Sequence, residues 1–194
     1  MNLPNKITTF RMICVIFVAA LLLIPTEGML LVLNVPLTRF IAWILFIVAS
    51  LSDFLDGYIA RKYKLETDYG KFMDPIADKL LVNTVLIILS SMGEILPICA
   101  IIMIARDTIV DAVRMNAVRK NIVVAANIFG KIKTVLQMIA LIFILIDDLY
   151  LSSLLGLTGY LTIGNIILYL ATAASLLSGV IYLIQNKDVF SEMK

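Results

Sequence analysis

Six predominantly apolar runs, at residues 8–25, 35–60, 74–92, 96–118, 129–147 and 159–185, fill most of this 194-residue chain. Each is long enough to cross a hydrocarbon layer of ~30 Å as a helix, which takes about 20 residues. In lipid every backbone N–H and C=O must be paired within the spanning structure, so runs of this length predict helices. Composition agrees: the chain is 61% hydrophobic and 15% charged, where a soluble domain is roughly half apolar and a quarter charged. The expected fold is all-α, a polytopic membrane protein with six transmembrane helices in one membrane-embedded domain over residues 1–194.

Charge placement orients the helices. Connectors 26–34, 93–95 and 148–158 are poor in basic residues. The alternate set carries Lys6 and Arg11, then Arg61, Lys62, Lys64 and Lys71, then Arg114, Arg119, Lys120, Lys131 and Lys133, then Lys187 and Lys194. Arg39 lies on the opposite side, and Lys79 and Arg106 fall within the spans. The positive-inside rule then puts both termini in the cytoplasm, in the cell membrane. Lys6 and Arg11 ahead of the apolar run 12–25 resemble the start of a signal peptide, but no small-residue cleavage site follows, so a retained first helix is expected. Residues 1–10 are expected to form a short interfacial helix, with surface anchoring as their plainest role.

Cys14 and Cys99 fall in apolar runs and read as unpaired packing residues. The chain has no histidine, which removes His-based acid–base chemistry, Ser–His triads and the commonest zinc ligand. A net charge of +2 gives no reason to expect a nucleic-acid partner.

Four aspartates stand out against this background: Asp53, Asp56, Asp74 and Asp78. A carboxylate at the bilayer centre costs roughly 2.5–3.5 kcal/mol even on lenient scales, so four at span edges require cations. Asp53 and Asp56 end the second span and Asp74 and Asp78 begin the third, all at the cytoplasmic side. Pro75 suits the first turn of a helix, with Asp74 at or near its N-cap. Spacings of three and four residues put each pair on one helical face, so two antiparallel faces can converge. Unneutralised like charges cannot share a site. All-oxygen ligands select hard cations such as Mg²⁺ or Mn²⁺, and a pair of such ions suits phosphoryl transfer. Gly57 and Ala60 would admit a ligand close to the backbone, although small residues on membrane helices also serve packing. Arg61 can hold a phosphate, neutralise a carboxylate or snorkel to the interface. Gly70 shapes the loop before the third span or is a plain turn glycine.

The pattern D-x2-D-G-x2-A-R-x8-G-x3-D-x3-D, met here at every position from Asp53 to Asp78, is the signature of the CDP-alcohol phosphotransferases, which this chain resembles. The resemblance implies a six-helix enzyme that transfers a phosphatidyl or similar group from a CDP-linked donor to an alcohol, releasing CMP. It implies two divalent cations, Mg²⁺ or Mn²⁺, held by Asp53, Asp56, Asp74 and Asp78, with Asp78 also the general base. Gly57, Ala60 and Arg61 would contact the cytidine nucleotide, with Gly70, Asn5 and Thr8 close to it. A homodimer is implied by the resemblance alone.

A second polar cluster bears on the acceptor. The fourth span carries Arg106, Asp107, Asp111 and Arg114, and the fifth opens Gly130-Lys131-Ile132-Lys133-Thr134. Arg106 lies deep in an apolar run, so it requires an anionic ligand or an acidic neighbour. Arg106, Arg114, Lys131 and Lys133 suit a small phosphorylated acceptor. Arg119 and Lys120 read as loop charges or lipid head-group contacts. The opening N-L-P-N-K-I-T with Arg11, the A-R-D-x3-D-x2-R run and G-K-I-K-T with Gln137-Met138 resemble the bacterial phosphatidylglycerophosphate synthases over nearly the whole length. That implies CDP-diacylglycerol as donor, sn-glycerol 3-phosphate as acceptor and membrane lipids as surroundings. Asp107 departs from the glutamate expected there, keeping the charge and shortening the reach.

Rival readings are the same chemistry on serine, inositol phosphate or phosphatidylglycerol, and a cation transporter using its intramembrane aspartates. Transport predicts a polar path to the far side, yet the second and third spans are apolar beyond the aspartates.

Overall fold

The computed structural model describes residues 3–33, 35–63, 68–119, 128–147 and 151–186; within these, the side chains at 3–4, 53–63, 68–72, 75 and 118–119 are outside the description. Six long helices cover the six apolar runs: α1 (Leu3–Leu23), α2 (Leu37–Tyr63), α3 (Asp68–Ser91), α4 (Pro97–Arg119), α5 (Ile128–Leu145) and α7 (Ile163–Gln185). A single-turn α6 (Leu151–Leu154) precedes α7. Pro25 follows the end of α1 and Pro97 opens α4, where its missing N–H leaves no helical bond unmade. Three stretches, Asn5–Leu23, Ile128–Leu145 and Ile163–Gln185, are long and apolar enough to cross a membrane.

Three local differences from expectation have physical causes. Leu31–Val32, expected as connector, and Val35–Pro36, expected as the start of the second span, form a two-stranded antiparallel ladder, β1 (Leu31–Val32) with β2 (Val35–Pro36). Hydropathy does not mark so short a pairing. Residues 3–10 are not a separate interfacial helix but the first turns of a continuous α1. Helix α3 begins at Asp68 rather than 74, because helical hydrogen bonding runs on into the polar segment before the apolar run. Asp74 is therefore inside the helix and not its N-cap. Pro75, one residue on, cannot donate to the Lys71 carbonyl.

The helices bury one main apolar cluster, with Val18 of α1, Phe46 of α2, Leu86 of α3, Met103 of α4, Leu141 of α5 and Leu168 of α7 all inaccessible or nearly so. Helix α5 lies along α7, α1 packs on α2 and α3, and α4 packs on α7. Large aliphatic side chains such as Ile16, Val135, Leu170 and Ile184 point outward, while Thr8, Arg11, Lys133, Gln137, Asn165 and Ser178 are buried. Apolar outside with polar groups inside is the distribution a lipid-facing bundle requires. Cys14 and Cys99 are buried and unpaired, as expected.

At one end the bundle is fastened by ions. Gly93, at φ +75, ends α3 in the left-handed conformation. Glu94 N–H then donates to the Leu89 carbonyl and Gly93 N–H to Ser90, the paired bonds of a Schellman cap. That turn brings Glu94 to Arg39 at the start of α2, whose Nη1 and Nη2 donate to the two carboxylate oxygens at 2.5 Å each. The same guanidinium donates to the Leu145 and Ile144 carbonyls at the C-terminal end of α5. Asn165 of α7 donates to the Glu94 carbonyl. Four helices meet at one saturated ion pair.

Candidate functional site

The site lies at the other end of α3, about 24 Å along the axis from Glu94 to Asp78 at 1.5 Å per residue. There Asn5, Thr8 and Arg11, spaced by three, put one polar stripe of α1 into the interior. Thr8 Oγ1 donates to Asp74 Oδ1 at 2.6 Å. Thr8 is 1% exposed, so this charge-assisted bond is sheltered from water. Arg11, which the sequence places among the cytoplasmic charges, is completely buried.

One turn beyond Asp74, Asp78 lines a cavity of about 120 Å³ with Lys79, Arg106, Asp107, Arg114 and Lys133. A second cavity of about 200 Å³ shares Arg106 and Arg114 with it and adds Lys131. The four expected acceptor residues thus surround adjoining space, and the first cavity reaches Asp78. The largest cavity described, about 480 Å³, surrounds Arg39 and Glu94. Its cation and carboxylate already satisfy each other, which leaves the smaller pair as the candidate site.

Ion pairing sorts the cations. Asp107 accepts from Arg106 Nη1 at 3.0 Å through one oxygen and from Lys133 Nζ at 2.6 Å through the other. Lys133 is 4% exposed and requires such a partner, because an unpaired buried ammonium is strongly disfavoured. The internal Arg–Asp pair left open by the sequence is therefore present, with Lys133 as its third member. Lys79 of α3 pairs with Asp111 of α4. Arg114 and Lys131 make no ion pair among the described residues and are exposed. They are the cations open to an incoming anion.

Helix α7 supplies parts that no sequence signal marked. Ser178, wholly buried, accepts from Arg106 Nη2 at 2.5 Å. Gly130 and Gly179 flank the arginine so closely that a Cβ on either would approach it within 3.3 Å and 3.1 Å. Gln137 Nε2 and the Tyr182 hydroxyl are buried without a hydrogen-bond partner among the described residues, and each lines one of the two cavities.

Asp53, Asp56, Gly57, Ala60 and Arg61 fall on the last turns of α2 and Gly70 on the first turn of α3; their side chains lie outside the described residues. Among the described residues no group of three or more metal-ligating side chains gathers. Asp74 and Asp78 provide two oxygen donors one turn apart, and Asp53 and Asp56 would complete an all-carboxylate set. That donor chemistry fits a hard divalent cation.

The sequence pattern of the CDP-alcohol phosphatidyltransferase family matches residues 1–182. A Rickettsia bellii protein named CDP-diacylglycerol–glycerol-3-phosphate 3-phosphatidyltransferase is 38% identical over 190 residues, covering 97% of each chain. Proteins of the same name from Bacillus subtilis, 41% identical over 76% of this chain and 78% of theirs, and Mycoplasma pneumoniae, 37% over 93% and 86%, are also similar. On a match spanning nearly its whole length, this chain belongs to the CDP-alcohol phosphatidyltransferase family.

Proposed function

We propose that this protein transfers the phosphatidyl group of CDP-diacylglycerol to sn-glycerol 3-phosphate, giving phosphatidylglycerophosphate and CMP. The donor and acceptor are those named for its relatives. The observation that carries the reading is the cavity that holds Asp78 beside a cluster of arginine and lysine side chains. A phosphorylated alcohol needs both: cations for its phosphate and a carboxylate for its hydroxyl.

In this reading the acceptor phosphate enters between the exposed Arg114 and Lys131, with Arg106 and Lys133 deeper, held by Asp107. Asp78 takes the proton from the acceptor hydroxyl. The hydroxyl oxygen attacks the phosphorus bearing the diacylglycerol, a new P–O bond forms, and the bond to the bridging oxygen breaks, releasing CMP. An ionised Asp78 is a weak base and works by position more than by pKa. Asp53, Asp56, Asp74 and Asp78 would hold two Mg²⁺ or Mn²⁺ ions, which supply charge neutralisation for the diphosphate. Thr8 keeps Asp74 oriented. Gly57, Ala60, Arg61, Gly70 and Asn5 would surround the cytidine nucleotide. The proposal extends to six membrane spans with both termini in the cytoplasm, an active site on that face of the cell membrane, and a homodimer.

Purified protein with Mg²⁺, CDP-diacylglycerol and labelled glycerol 3-phosphate is expected to release CMP and form a labelled phospholipid. Product with serine or inositol phosphate instead would overturn the acceptor assignment. CMP release that no acceptor stimulates would reduce the activity to hydrolysis. Loss of product on chelation, restored by Mg²⁺ or Mn²⁺, is expected of the carboxylate site.

A further inference from the structure

Arg106 is fixed on two sides. Its Nη1 meets Asp107 from the same helix, and its Nη2 meets Ser178 from α7. Between them the side chain runs through a slot cut by two glycines. A Cβ at Gly179 would lie 3.1 Å from Arg106 Cγ, and one at Gly130 would lie 3.3 Å from both Arg106 Nη2 and Ser178 Oγ. Such spacing is tighter than ordinary side-chain packing, so any larger residue would push the guanidinium or the hydroxyl aside. Arg106 Nε is left without a partner among the described residues. Arg106 also lines both cavities.

A serine at a crossing of membrane helices often serves packing alone. Here its oxygen is directed at a cation and accepts a charge-assisted bond, which fixes an angle as well as filling space. Arginine recognises phosphate through a planar fork, so a small rotation costs more than it would for lysine.

We propose that Ser178, seated between Gly130 and Gly179, is a positioning residue that aims Arg106 at the acceptor's phosphate and so sets the preference for an anionic alcohol. This rests on the acceptor reading above. Ser178 acts only through Arg106 and touches no substrate itself. Helix α7 thereby becomes part of acceptor selection, although it carries none of the family's acidic signature.

The test is steady-state kinetics of the purified enzyme with CDP-diacylglycerol, Mg²⁺ and varied glycerol 3-phosphate. Ser178→Ala is expected to raise KM for glycerol 3-phosphate about tenfold, the scale of one hydrogen bond to a charged group. The KM for CDP-diacylglycerol and kcat at saturating acceptor should stay within about twofold. In an Arg106→Lys background the same change should add nothing, because the guanidinium geometry it supports is gone. Gly179→Ala, which presses on the arginine stem and keeps the hydroxyl, should give the same acceptor-only signature. An unchanged acceptor KM in both variants would overturn the proposal, as would an equal loss of affinity for both substrates or an additive effect with Arg106→Lys. A wild-type enzyme inactive with glycerol 3-phosphate would instead overturn the acceptor reading itself, so the two failures are distinguishable.

Discussion

Thr8 and Asp74 are 66 residues apart in sequence and 2.6 Å apart in the fold, hydroxyl oxygen to carboxylate oxygen. The bond ties the start of α1 to the acidic end of α3 and gives one of the candidate metal ligands a fixed orientation. It also assigns the N-terminal turns a role beyond surface anchoring.

Removing that hydroxyl isosterically isolates its contribution. Thr8→Val should lower kcat/KM by about ten- to a hundredfold, since a hydrogen bond to a charged group contributes roughly 1.5–3 kcal/mol. The Mg²⁺ concentration for half-maximal activity should rise. Thr8→Ser should recover most of the loss, and a metal titration of the three proteins checks it.

Asp78→Asn preserves shape and removes the proposed proton acceptor. Turnover should fall to background while CDP-diacylglycerol binding is largely retained, read by single-turnover CMP release and equilibrium binding in parallel. Normal turnover in this variant rules Asp78 out as the base.

The ion pairing separates the four cations proposed for the acceptor into two kinds. Arg114→Ala removes an exposed cation with no ion pair among the described residues and should raise acceptor KM about tenfold or more, with thermal stability unchanged. Asp107→Asn leaves the buried Lys133 ammonium with a poor partner and should lower stability as well as activity, by about 3 kcal/mol or more. Thermal unfolding of both variants in detergent, alongside their kinetics, checks the division.

The Arg39–Glu94 pair predicts the reverse pattern. Glu94→Gln weakens the fastening of α2, α3, α5 and α7 far from the chemistry, and the loss is expected to be about 2 kcal/mol for a partly buried, bidentate pair. Melting should shift down by several degrees while KM for both substrates stays constant at low temperature. A shifted acceptor KM would count against the placement of the site at the Asp78 end.

Much of this was legible in one dimension. The six apolar runs each became a long helix, because length and hydropathy are local properties of the chain. Arg106, Arg114, Lys131 and Lys133 stand out in the sequence as charges within or beside apolar runs, and in the fold they line two adjoining cavities. The start of α3 was not legible: the segment before Asp74 is polar, and hydropathy reads lipid exposure rather than helical hydrogen bonding. Ser178 and Gly179 were not legible either, since a serine and a glycine in an apolar run carry no charge and no distinctive spacing.

The sequence by itself determined the helical membrane-type fold, the acidic signature and the family, all of which depend on residue order alone. Only the tertiary structure decided how the charges divide. It gave Asp107 to both Arg106 and Lys133, Asp111 to Lys79 and Glu94 to Arg39, and left Arg114 and Lys131 without an ion pair among the described residues. The reason is that pairing depends on distances between helices a few ångströms apart in space and tens of residues apart in the chain, where burial makes each unpaired charge too costly to leave alone.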